Sequence, residues 1–130
     1  MNTAARMLTR TRKHDHITPI LKDLHWLPVE FRIDFKILLL TFKSLHNIAP
    51  TYMSDMITPK ENSSRSMRSN DQNLLIVPKV RTDSYGKRSF YFASPHLWNE
   101  LPLAIRLCPD IDTFKSLLKT HFYGKAFCDD

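Results

Sequence analysis

The chain has 130 residues, 42% of them hydrophobic, with two tryptophans and eight phenylalanines, which describes a globular chain of about one domain rather than a disordered one. Two glycines leave little room for glycine-rich dinucleotide or phosphate loops. Nineteen Lys and Arg against 13 Asp and Glu give a net charge of +6, the balance of proteins that meet nucleic acid or other anionic surfaces, and also of many that simply carry a solvated basic surface.

The first 14 residues, MNTAARMLTRTRKH, hold Arg6, Arg10, Arg12 and Lys13 with no acid before Asp15. At about 100° per residue, Arg6, Arg10 and Lys13 share one helical face and Ala4 and Leu8 the opposite one. A mitochondrial targeting segment has this composition; so does a docked surface helix with a basic outer stripe. Thr18 followed by Pro19 marks an N-cap and first helical position for a short helix carrying Ile20, Leu21 and Leu24, stopped by Pro28. From Val29 to about His46, the residues Phe31, Phe35, Leu38, Phe42 and Leu45 recur at spacings of four, three, four and three, which predicts a long helix and the spine of the fold. Ile33, Ile37 and Leu40 form a second apolar face and Arg32, Lys36 and Lys43 a basic edge, so the helix is expected between two layers.

Asn47 to Pro50 ends that helix, and TYMSDMI is expected to pack one or two turns through Tyr52, Met53 and Met56. Residues 58–73, rich in Ser and Asn with Met67 as the one apolar residue, read as an internal polar loop or linker bearing Arg65 and Arg68. LLIVPKV, residues 74–80, and SFYFA, residues 89–93, flank a turn near Gly86 and predict a β-hairpin, with Pro78 confining its strand to an edge. Ser94-Pro95 and Leu101-Pro102 each offer a helix start, hence two short helices with Trp98 as the anchor between them. A last helix begins at a cap on Asp110 or Asp112, carries Phe114, Leu117, Leu118, His121 and Phe122, and ends near Gly124, with Lys115 and Lys119 on its outer side. The expected class is mainly α with a small β-hairpin, an α+β fold in a single domain spanning residues 1–130.

Little in the chain carries chemistry. Cys108 and Cys128 are too few for a disulfide framework or a zinc ribbon, which fits a reducing compartment. His14 and His16 lack a third ligand nearby, while His25 and His121 sit where packing explains them. There is no G-x-S-x-G turn, Cys108 precedes a proline, and the only paired carboxylates are Asp129-Asp130 at the terminus. No catalytic residue, metal or cofactor is therefore expected. Apolar runs such as ILLL, residues 37–40, fall far short of the roughly 20 residues of a membrane helix, so a soluble chain without a secretory signal, nuclear or cytoplasmic, is expected. The functional signal that stands out is basic residues interleaved with aromatics. KVRTDSYGKRSFYF, residues 79–92, sets Lys79, Arg81, Lys87 and Arg88 around Tyr85, Phe90 and Tyr91, a combination that can hold phosphates and stack bases. Aromatics inside and charges outside is the plain structural alternative.

DHITPILKDLHWLPV, YGKRSF and SPHLWNELP, in this order and at this spacing, together with the sequence around them, resemble the C-terminal region of non-LTR retrotransposon (LINE-type) reverse transcriptase polyproteins of vertebrate genomes. The resemblance runs over nearly the whole chain. It implies an appendage downstream of the polymerase fingers, palm and thumb, without the palm's Tyr or Phe followed by Ala-Asp-Asp and without an endonuclease. It further implies an accessory role in positioning template RNA or target DNA, with the absent polymerase domain as a partner. On that reading Arg6, Arg10, Arg12 and Lys13 form one phosphate-contacting cluster and Lys79, Arg81, Lys87 and Arg88 a second. A structural or protein-interaction module, or a decayed element copy without activity, is the alternative.

Overall fold

A computed structural model describes residues 2–60 and 72–128. Met67, Arg65, Arg68 and the Asp129-Asp130 pair lie outside the described residues. The described residues form seven helices: α1 (Asn2–Thr9), α2 (Thr18–Asp23), α3 (Val29–Leu45), α4 (Thr51–Ser54), α5 (Phe90–Glu100), α6 (Leu103–Arg106) and α7 (Ile111–Phe127). Among them there is no strand, only an isolated antiparallel bridge between Pro59 and Leu75. The expected α+β class thus gives way to an all-helical one.

The spine is where periodicity placed it. On α3, Leu38 and Phe42 are buried while Phe31, Phe35 and Leu45 pack against the same core. Across from them lie Trp98 and Leu101 from α5 and its end, and Phe114, Leu118 and Phe122 from α7. Phe42 stacks on Phe114 at 4.4 Å between ring centroids, and Phe31 meets Phe122 at 5.8 Å. The start of α3 therefore faces the end of α7, and the two helices run antiparallel. α5 approaches α3 closely at Thr41 and Ser94, both fully buried and joined hydroxyl to hydroxyl at 2.7 Å; small side chains there let the backbones come together. The second apolar face of α3 is only partly covered: Ile37 is half-buried, while Ile33 is 54% and Leu40 38% exposed. α3 is a helix buried on one side, not one sandwiched between layers.

The hairpin fails because residues 89–101 carry a helical period. Ser94, Trp98 and Leu101 are buried, and Phe90 and Leu97 pack against the core, an i, i+4, i+7, i+8, i+11 series that only a helix brings onto one face. Ser89, with extended φ and ψ, stands at the N-cap, and its hydroxyl donates to the Gly86 carbonyl. Pro95 therefore lies inside α5 instead of starting a helix. Its missing N–H leaves the Tyr91 carbonyl without a helical donor, a cost offset by burying the ring in the core beside Trp98. The other proposed start holds: Pro102 occupies the N-cap of α6. Gly86 packs where its turn folds back. A methyl group on it would sit 2.6 Å from the Thr82 carbonyl oxygen and 2.8 Å from Val80 Cβ.

Residues 74–80, expected as a strand, instead lie as an extended segment held by side chains. The Trp98 indole donates to the Asn73 carbonyl at 2.8 Å, the Asn73 amide donates to the Arg106 carbonyl, and the Asn99 amide accepts from the Leu75 N–H and donates to the Leu75 carbonyl. Asn99 thus does for Leu75 what a neighbouring strand would do. Further along, the Ile76 N–H donates to Thr58 and the Lys60 N–H to Leu74, so both flanks of the polar loop are pinned together.

A smaller second core holds α1 and α2 to the end of α7. Ala5, Ile20, Leu21 and Phe127 are buried in it, with Trp26 and Tyr123 packed alongside. α7 runs through Gly124 to Phe127, past the expected end, because Phe127 has this cluster to fill. The predicted packing of α4 is also revised. Tyr52 and Met56 are exposed, Met53 is half-buried, and Ile57, just past the helix, supplies the buried contact.

Candidate nucleic-acid interface

The basic stripe predicted on the first helix breaks at Thr9. Arg10 adopts φ 54° and the Thr11 N–H returns to the Arg6 carbonyl, a left-handed closing turn usually given to glycine. Residues 10–15 form a loop, and Arg6 is built into it, its guanidinium donating to the carbonyls of Arg12 and Asp15. Arg10, Arg12 and Lys13 are exposed on this loop. In the second predicted cluster, Lys79, Arg81, Lys87 and Arg88 are all exposed, along the extended segment and the turn that leads into α5. Lys87 is ion-paired with Asp83, whose carboxyl it holds below the usual carboxylate range by its hydrogen bond and its charge. Tyr85 is exposed and Tyr91 half-exposed, while Phe90 turns to the core.

A third arrangement went unread in the sequence. Between α1, the α2–α3 link, α3 and α7 lies a cleft of about 670 Å³ lined by Ala4, His25, Trp26, Leu27, Arg32, Phe35, Lys36 and Lys119. Among the described residues no Asp or Glu lines it. Asp34, one position from Phe35, has its carboxyl pushed up by burial, against the pull of Lys125.

Local sequence builds each wall. α2 ends with the Trp26 N–H on the Leu21 carbonyl and the His25 N–H on the Lys22 carbonyl, which forces His25 to φ 54°. These paired bonds form a Schellman closure that turns the chain back and delivers Trp26 and Leu27 to the cleft floor. His25 stacks on Tyr123, with ring centroids 5.6 Å apart and planes 13° apart, and the Tyr123 hydroxyl donates to the Lys22 carbonyl. Arg32, Phe35 and Lys36 stand at i, i+3 and i+4 on α3, hence on one face. Lys119 arrives through the antiparallel packing: with Phe31 level with Phe122 and Phe42 level with Phe114, residue 119 falls opposite Phe35. The sequence signal was the Arg32 and Lys36 pair flanking Phe35; only the fold supplies Lys119.

The cleft offers an aromatic and aliphatic floor ringed by cations, a chemistry suited to an anion with a flat apolar part. One further cation escaped the sequence reading. Arg106, in the last turn of α6, is buried with Nε and Nη1 lacking hydrogen-bond partners among the described residues, and burial holds its guanidinium below the ordinary arginine range. Among the described residues no helix is long and apolar enough to cross a membrane. Comparison with family models, curated proteins and solved structures finds no match for this chain.

Proposed function

We propose that the chain is a non-catalytic nucleic-acid-binding region, the accessory C-terminal part of a retrotransposon reverse transcriptase that positions template RNA or target DNA. The observation that carries the binding is the cleft: cations from α3 and α7 converge on an aromatic floor, with no acid in its lining among the described residues, a setting that attracts phosphate. Arg10, Arg12 and Lys13 on the N-terminal loop, and Lys79, Arg81 and Arg88 near the turn, extend the phosphate contacts away from it. The link to a reverse transcriptase rests on the sequence resemblance. A specific observation favours the second reading, a protein-interaction module: the uncovered apolar edge of α3 at Ile33 and Leu40.

The variant Lys36→Gln with Lys119→Gln discriminates between them, because both side chains are exposed and their loss leaves the core intact. Fluorescence anisotropy with labelled oligonucleotides is expected to show all sequences weakened about equally, and the log-log salt slope reduced by about 1.5, at roughly 0.7–0.9 per lost contact. Unchanged affinity and slope would move the function away from the cleft.

A further inference from the structure

We infer that the cleft receives one unpaired nucleotide, its base stacked on the Trp26 indole and its phosphate held by Lys36 and Lys119; this deepens the binding proposed above and rests on it. Trp26 is half-buried. It packs on the second core and also lines the cleft, so one part of the indole is fixed while another meets the cavity. The fixing is covalently close: the chain turns at His25, whose ring is stacked on Tyr123, and the Trp26 N–H is tied to Leu21 at 2.8 Å. A platform held this way loses little freedom when a ligand lands on it. The cleft volume falls within the roughly 300–1,000 Å³ of small-molecule sites, room for a base and its sugar. A base inside a duplex presents only its edge, so it cannot reach such a recessed floor without leaving the stack. The site therefore favours single strands. Stacking on a bare aromatic face also leaves base identity largely unread.

The test uses the wild-type protein and needs no variant. Binding is measured for an eight-residue oligothymidylate, for an eight-residue abasic strand with the same phosphates, and for a duplex, following both anisotropy and tryptophan emission. Trp98 is fully buried, so ligand-induced quenching reports Trp26. The thymidylate strand is expected to quench the emission and to bind about tenfold or more tightly than the abasic strand, in line with base-stacking contributions, while the duplex leaves the emission unchanged. Equal affinity for thymidylate and abasic strands without quenching would overturn the stacking site yet leave phosphate-directed binding standing. Absence of binding by all three would overturn both.

Discussion

Replacing Trp98 by Ala is expected to cost about 3–5 kcal/mol, a large share of the roughly 5–15 kcal/mol that holds a small domain together. Trp98 is fully buried between the helices. Its ring lies 5.9 Å from that of Phe114, and its indole N–H holds the Asn73 carbonyl. The substitution opens a cavity in the main core and at the same time frees the extended segment that covers it. Urea unfolding followed by circular dichroism measures the loss. A midpoint within experimental error of the wild type would mean that Trp98 does not join these elements.

The second large effect is expected at the neighbouring residue. Asn99→Ala removes both bonds to Leu75, whose residue is only 2% exposed, and leaves a buried N–H and a buried carbonyl without partners, a loss of about 2–3 kcal/mol. Hydrogen exchange gives the residue-specific reading. The Leu75 amide should lose its protection while the amides within α3 and α7 keep theirs. Retained protection at Leu75 would show that the segment is held by something other than Asn99. Together, Trp98 and Asn99 explain the motif SPHLWNELP: its helix lays one residue into the core and uses the next as a surrogate strand.

The elements legible in the sequence were those whose signals are local. The four-three spacing of Phe31, Phe35, Leu38, Phe42 and Leu45 marked α3 to within a residue of its observed end, and Asp110 caps α7 by accepting from the Thr113 N–H. The ends of α1 and α2 were harder, because this glycine-poor chain closes them with Arg10 and His25 in the left-handed region, where a reader of sequence looks for glycine or asparagine. Ser-Pro at 94–95 suggested a helix start since proline fits there, but burial of the ring in the core outweighed the lost hydrogen bond. SFYFA passed for a strand because five residues show its β propensity and hide its longer helical period.

The candidate site divides the same way. Charge runs near the N-terminus and around Gly86 were visible, yet the structure engages Arg6 with carbonyl groups and pairs Lys87 with Asp83. The cleft was invisible because its parts come from separate stretches, with Lys36 and Lys119 lying 83 positions apart, and are joined only by antiparallel packing of α3 and α7. The closing turn of α2 that delivers Trp26 has no glycine to announce it.

Binding of nucleic acid by this surface through its phosphates makes the affinity of the wild-type chain depend on salt, and fluorescence anisotropy across a salt series measures that dependence. Three or more phosphate contacts predict that log affinity for a single strand falls against log salt with a slope of about −2 or steeper, whatever the base sequence. A slope near zero, or no binding at low salt, would contradict it.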